Sequence, residues 1–180
     1  VLRSPHAHAR IKSIDTSKAE QLEGVRAVVT GKDLPPTTSN EMIDLGEGAQ
    51  SLKFLRDNVL ATDKTLYRGH VVAGVAATSL HIAEEAPGLI EVDYEVLKPV
   101  IHALDAMKED APLLHDFQTT QEFGEDTGKK SNIAMHSILK LGDIEKGFAA
   151  ADVVAEYEVN TATVHQGYIE PHNATATWQM

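Results

Sequence analysis

The chain has 180 residues, 42% hydrophobic and 24% charged, and its 16 Lys and Arg against 27 Asp and Glu leave a net charge of −11. That length fits one domain, or one domain with part of another, and is enough to bury a real core. The acidic balance excludes a sequence-independent binder of phosphate backbones, and zero Cys excludes a disulfide framework, a Cys-ligated iron–sulfur cluster and a cysteine-type zinc site. No apolar run approaches the ~18 residues of a membrane-crossing helix, and the opening residues do not read as a charged-then-apolar leader. The expectation is a globular, cytoplasmic protein that engages neither nucleic acid nor membrane.

In chain order, His6–Ile14 alternates with period two. His6, His8, Arg10 and Lys12 share one face and Ala7, Ala9, Ile11 and Ser13 the other, which predicts a half-buried strand. Ser17-Lys-Ala-Glu20 fits a capping box with Ser17 at the N-cap, opening a short helix that Gly24 can close. Val25–Thr30 reads as a β-branched strand ended by Gly31. Residues 34–50, between Pro35-Pro36 and the pair Gly46 and Gly48, read as a surface excursion.

A second unit repeats the first. Val71–Ala77 is a run of small apolar residues, as expected for a strand covered on both faces. Thr78 or Ser79 can cap a helix whose inward stripe is Leu80, Ala83 and Ala86, or Ile82 with Ala86. Pro87 lacks an amide proton and its ring would meet the carbonyl of Ala83, so the regular helix should end or kink near Ala86. Leu89–Leu97 then alternates, with Ile90, Val92, Tyr94 and Val96 opposite Glu91, Asp93 and Glu95.

Beyond a weak helix at Leu104–Met107, the polar tract Gln118–Lys130, with Gly124 and Gly128, is the best candidate for a domain boundary. A third unit starts at Asn132. Ile133–Lys140 alternates, Gly142-Asp143 offers a turn and an N-cap, and Ile144 and Phe148 share a helix face. Val153, Ala155, Tyr157 and Val159 line one face of a long strand. Asn173–Met180 also alternates, either as an ordinary last strand or, the preferred reading, because the polypeptide is cut from a longer one. Three such units indicate an α+β (mixed α/β) fold, and the shortness of the first helix argues that some pairings are antiparallel.

Few constellations carry chemistry. His6-x-His8 could in principle hold a metal, but Arg10 and Lys12 continue that face and oppose a cation, so a solvated face is the better reading. Gly46-x-Gly48 lacks the flanking strand and helix of a dinucleotide fingerprint. The densest polar group is Val164-His-Gln-Gly-Tyr-Ile-Glu-Pro-His172, where a bend at Gly167 and an extended exit at Glu170-Pro171 gather His165, Gln166, Glu170 and His172. This is either the hydrogen-bonding wall of a substrate cavity or a turn whose His and Gln face water.

Several segments carry a resemblance in one order: Leu2-Arg-Ser-Pro-His-Ala-His-Ala-Arg-Ile-Lys-Ser-Ile-Asp15, Gly24-Val-Arg-Ala-Val-Val-Thr-Gly-Lys-Asp-Leu-Pro35, Val72-Ala-Gly-Val-Ala-Ala-Thr78 with Ala83-Glu-Glu-Ala86, Leu89-Ile-Glu-Val-Asp-Tyr-Glu95, Asn132-Ile-Ala, Gly142-Asp-Ile-Glu, Phe148-x-x-Ala-Asp-Val-Val154 and His165-x-x-x-x-Glu-Pro171. Together they resemble the molybdopterin-binding large subunit of the xanthine dehydrogenase/aldehyde oxidase family, which includes carbon monoxide dehydrogenase and 4-hydroxybenzoyl-CoA reductase. The resemblance implies an α/β hammerhead domain with a mixed sheet and short helices over residues 1–105. A connector over 106–130 and the truncated start of a molybdopterin-binding domain over 131–180 follow. It also implies a parent enzyme that hydroxylates, or in one branch reductively dehydroxylates, a carbon centre at a molybdenum–pterin. Its electrons pass to iron–sulfur and FAD domains or subunits. Around Arg68-Gly-His-Val-Val72 the family usually has an acidic or amide residue and a Pro where His70 and Val72 stand, and Pro87-Gly88 interrupts a normally continuous helix.

The Gly-rich pterin-holding segments and the late general-base Glu of the family have no match, so no catalytic, cofactor-binding or metal residue is assigned. His165 and Gln166 are offered only as cavity neighbours. The expectation is a fragment without bound cofactor, inactive alone, that packs against the remaining large-subunit domains, shapes the substrate channel, and self-associates when isolated. The alternative is a non-catalytic scaffold with the same fold.

Overall fold

The computed structural model describes residues 1–44, 46 and 49–177, in two units, Val1–Ile138 and Leu139–Met180. In the first unit, β1 (Leu2–Arg3), β2 (Ala9–Asp15), α1 (Ser17–Glu20), β3 (Val25–Thr30), β4 (Met42–Asp44), β5 (Ala49–Ser51), α2 (Leu52–Val59), β6 (Lys64–Thr65), β7 (Val71–Ala77), α3 (Leu80–Glu85), β8 (Glu91–Val96), α4 (Ala103–Ala106), β9 (Thr119–Glu122), β10 (Glu125–Lys130) and β11 (Met135–His136) follow one another. The second unit contains α5 (Ile144–Ala149).

Two three-stranded sheets organise the first unit, in the orders β1-β7-β3 and β6-β2-β8, and every pairing in them is antiparallel. The two strand–helix–strand units therefore interlock rather than form parallel crossovers. In β2-α1-β3 and in β7-α3-β8 the two strands of a unit go to different sheets, and each pairs with a strand of the other unit, β2 with β8 and β3 with β7. Between them lies a core of small residues. Ala19, Ala73 and Ala86 have no exposed surface and Ile90 has little, with Leu2, Ile14, Val28, Val75 and Val92 packed around them. Consecutive Val72 and Ala73 are both fully buried, so β7 is covered on both faces at that point, as its composition predicts.

Local chemistry accounts for most element ends. The helix at Ser17 is capped one residue earlier than the capping-box reading. Thr16 is the N-cap, its hydroxyl donates to Glu20 (2.6 Å), and Asp15 Oδ1 accepts from the Ser17 amide (3.0 Å). The Ser17 hydroxyl and amide hold the Asp15 carboxyl below its ordinary range. Thr30 and Asp33 form a reciprocal capping box, with the Thr30 amide donating to Asp33 Oδ2 at 2.7 Å. Ser79 accepts from the Ile82 amide at the start of α3. The helix ends at Glu85, where Ala86–Leu89 tightens into a 3₁₀ turn around Pro87, as expected from its missing amide. Leu80 is exposed on α3, so the inward stripe is Ile82 with Ala83 and Ala86.

Four expectations are corrected. The alternation of the first strand is interrupted by a bulge. Ile11 stands opposite Tyr94 and Ser13 opposite Asp93, leaving Lys12 extra, so Ile14 joins Ile11 on the packed face opposite Val92. The excursion at 34–50 contains the hairpin β4–β5, and Leu52–Val59 is a helix; the Gly48 of the Gly46-x-Gly48 pair lies outside the described residues. The polar tract Gln118–Lys130 forms the hairpin β9–β10, turned at Phe123 (φ 53°) and Gly124 (φ 88°), with β11 parallel to β9. In the second unit α5 is present and Asp143 accepts from the Lys146 amide, but residues 150–177 form no strand. A ladder needs a neighbouring strand to exchange hydrogen bonds, and the described residues place none beside Val153–Val159. Of the expected last strand, residues 178–180 lie outside the described residues.

Gly31 lies hard against neighbouring backbone: a Cβ there would stand 2.6 Å from the Ala61 carbonyl oxygen and 2.6 Å from Thr62 Cγ2. Gly31→Ala should lower stability by about 1–3 kcal/mol. Gly88→Ala, at a position open to space, should be neutral or slightly stabilising. Denaturant midpoints of the two variants check this.

Candidate functional site

A cleft of about 450 Å³ opens in the first unit between the β6–β7 turn and the segment that follows β8. Pro99, Val100 and Ile101 form one side, and Leu66, Tyr67 and Arg68 the other. Pro112, Leu114, His115 and Asn132 close it, with His8 at its base. Its walls are mostly apolar, with a small number of polar groups, the composition of a surface that receives another molecule or chain segment.

Asn132 builds one end of this cleft. Its Nδ2 donates to the carbonyls of Ala106 (3.1 Å) and Pro112 (3.0 Å), and its Oδ1 accepts from the Leu114 amide (2.9 Å). One side chain thus ties the end of α4 and the 112–114 strap to the chain entering β11. The strap is also held from below, where Lys64 donates to Asp116 (2.6 Å) and to the Leu113 carbonyl. His115 sits between Phe54 and Phe117, ring centroids 5.2 and 5.7 Å away. Burial, reinforced by the Lys64 charge, pushes the His115 pKa down, so it is a neutral ring at neutral pH.

His8 is not on a solvated face: it is 7% exposed. The bend before β2 brings it under Lys98, whose carbonyl oxygen lies 3.2 Å from Nδ1. A carbonyl only accepts, so Nδ1 carries a proton, and Nε2 is buried and without a partner. His6 is separate from it, half-buried and edge-on to Tyr94 with centroids 5.0 Å apart. The two imidazoles do not converge, and the described residues contain no cluster of three or more His, Asp or Glu side chains placed to hold a metal.

In the second unit, His165 Nδ1 accepts from the Gly167 amide (3.0 Å), with Gly167 in the left-handed region at φ 71°. Both His165 and His172 pack on Tyr168, each with ring centroids 4.8 Å from it. The predicted bend exists, and it gathers the two His rings. Gln166 and Glu170 are exposed and make no side-chain hydrogen bond to that cluster.

The residues that shape the cleft, Asn132 above all, carried no local signal. The partners of Asn132 lie 18 to 26 positions earlier, beyond the reach of any periodicity. For α2, Leu52, Leu55 and Val59 stand at helical spacing just beyond the 34–50 excursion, in a stretch given no element from the sequence.

With this geometry in place, the comparisons define a class and then a family. Residues 1–98 match the a/b hammerhead domain of aldehyde oxidase and xanthine dehydrogenase, and residues 125–180 match the molybdopterin cofactor-binding domain. The chain belongs to the aldehyde oxidase and xanthine dehydrogenase family. It is 37% identical over 196 residues to a probable hypoxanthine oxidase, XdhD, of Escherichia coli O157:H7, covering 96% of this chain and 20% of that protein. It is likewise 37% identical over 179 residues to the carbon monoxide dehydrogenase large chain of Afipia carboxidovorans, covering 98% of this chain and 21% of the relative. The crystal structure of a Cu,Mo-CO dehydrogenase in its carbon monoxide reduced state superposes with a TM-score of 0.60 at 38% identity, over 84% of this chain and 18% of that one. The chain thus spans about a fifth of the length of the relatives it matches.

The described residues do not by themselves build a holder for a molybdenum–pterin. They bring no metal-ligating cluster together, and the side chains of residues 139–177 are exposed rather than convergent.

Asn132→Ala should destabilise the first unit by about 2–3 kcal/mol, because it removes three hydrogen bonds at once. It should also speed proteolysis within residues 107–118. Asn132→Asp retains only the acceptor for Leu114 and should fall between the two. Denaturation curves and limited proteolysis followed by mass spectrometry read both effects.

Proposed function

We propose that this chain is part of the large subunit of a molybdenum hydroxylase. Residues 1–105 serve as its hammerhead domain, 106–130 as the connector, and 131–180 as the entry into the molybdopterin-binding domain. In the parent it packs against the molybdopterin domains and shapes one side of the substrate channel, with His165 and Gln166 as cavity neighbours; it is inactive alone. The parent is a cytoplasmic oxidoreductase of the xanthine dehydrogenase, aldehyde oxidase or CO dehydrogenase kind. Molybdenum–molybdopterin, held by residues outside this stretch, supplies the oxygen-transfer chemistry, and electrons leave through iron–sulfur and FAD partners. Among the described residues no helix is long and apolar enough to cross a membrane.

The observation that carries this reading is the apolar row left open in the second unit. Val153, Tyr157 and Val159, at alternating positions, are 83%, 87% and 85% exposed, and Leu139 and Ile169 are fully so. Residues of this kind at strand spacing need a covering surface, and the relatives, about five times longer than this chain, have the length to supply one. A scaffold that never binds pterin has no such need for the match over 125–180.

Purification of the full-length protein from a cofactor-competent host should yield about one molybdenum and one pterin per large subunit. Full-length protein free of both would establish the scaffold alternative. The isolated 180-residue chain should lack dehydrogenase activity and self-associate in light scattering. Replacing Val153, Tyr157 and Val159 together by Ser should shift it toward monomer.

A further inference from the structure

His70 has no exposed surface and lies where the chain turns from β6 into β7. Its Nδ1 is 3.2 Å from the Leu66 amide nitrogen. An amide N–H only donates, so Nδ1 must be an unprotonated acceptor, and the single ring proton is on Nε2, which has no hydrogen-bond partner. The ring stacks on Tyr67, with centroids 4.5 Å apart and planes 22° from parallel. The Leu66–Gly69 turn is further closed by the His70 amide, which donates to the Tyr67 carbonyl (3.1 Å), and by the Gly69 amide, which donates to Ser4 (2.8 Å). Leu66, Tyr67 and Arg68 of this same turn form one wall of the cleft.

We infer that neutral His70 is the latch of this wall, so that acidification below neutrality releases the Leu66–Gly69 turn reversibly. Adding a proton to Nδ1 sets an N–H against the Leu66 N–H, breaks their bond and leaves a charge in a fully buried place. Little around the ring can compensate. Asp57 faces it from α2, but that carboxylate is already engaged by Lys53 (2.7 Å), Arg56 (3.7 Å) and the Thr62 hydroxyl (3.2 Å). Arg3 of β1 reaches the turn at the Gly69 carbonyl (2.8 Å), and Arg68 within the turn is also cationic; neither favours an imidazolium. The Tyr67 hydroxyl donates to the Asn58 carbonyl (3.5 Å), Lys64 of β6 is committed to Asp116 and Leu113, and β7 carries no titratable side chain. Burial is also the leading cause that holds the His70 pKa below the ordinary 6.5, against the opposing backbone of Asn58 and Asp57 and the Asp57 charge. With a depressed folded-state value, the stabilising contribution is complete above the unfolded value and is lost as pH falls through the range below it.

The discriminating variant is His70→Gln, whose amide oxygen can accept the same Leu66 N–H but cannot titrate. Amide hydrogen exchange of the full-length protein, followed by mass spectrometry over residues 64–72 and corrected for intrinsic rates, should accelerate about tenfold between pH 7.5 and pH 5.5, the equivalent of one lost hydrogen bond. The Gln variant should show no such change. Equal protection of the unmodified protein at both pH values, or the same acceleration in the variant, would overturn the inference. Should the variant fail to fold, exchange of the His70 ring C2 hydrogen in the unmodified protein decides the matter. A midpoint below 6.5 supports the latch and an ordinary midpoint refutes it.

Discussion

The interlocking of two strand–helix–strand units is the constraint on which the rest of the fold depends. β2 and β3 cannot pair with each other across the short α1, and β7 and β8 are likewise divided between the two sheets. Each unit therefore completes its hydrogen bonding only through the other, β2 with β8 and β3 with β7. Neither half can bury its apolar face alone, and the two sheets approach closely only because Ala19, Ala73 and Ala86 stand where they meet. A larger side chain at any of the three would wedge apart four strands at once. The same closeness explains Gly31, pressed against the 61–62 backbone, and it makes the first unit one cooperative body.

On that body the cleft is a secondary construction. It exists because the chain leaving β8 does not return to a sheet but folds over the outside, pinned by Asn132 at one end and by Lys64 at the other. Apolar walls with a few polar groups among them make a surface suited to packing and hydrogen bonding. That character suits the role proposed above, in which this stretch contributes shape and contact.

How much of this was legible in the sequence divides along a physical line. Features governed by a few neighbouring residues were readable: the small apolar run of β7, the Ser79 and Asp143 caps, the helix stop at Pro87, and the bend at Gly167. Features set by residues far apart were not. Nothing local announces that Lys12 is a bulge, that His8 turns inward beneath Lys98, or that Asn132 gathers three backbone groups from 18 to 26 positions away. The polar tract 118–130 misled because its hairpin is signalled only by the two residues Phe123-Gly124. The alternation at 153–159 has the pattern of a strand, but these residues form none, because a pattern becomes a ladder only when a neighbour supplies the other half of its bonds. The family and its hammerhead were legible as an ordered series of segments; His165 and Gln166, by contrast, are placed by the structure without being given a role.

The bulge in β2 carries one further consequence, for how this strand can vary in length. Lys12 is supernumerary: Ile11, Ser13 and Ile14 already oppose Tyr94, Asp93 and Val92 in unbroken succession on the partner strand. A chain lacking either Lys12 or Ser13 would thread the same ladder as a plain alternation, with one residue between the two isoleucines and both still facing inward. A single-residue gap between the two isoleucines thus leaves the inward face intact, whereas a gap elsewhere in the ladder shifts the side chains on one side of it to the other face.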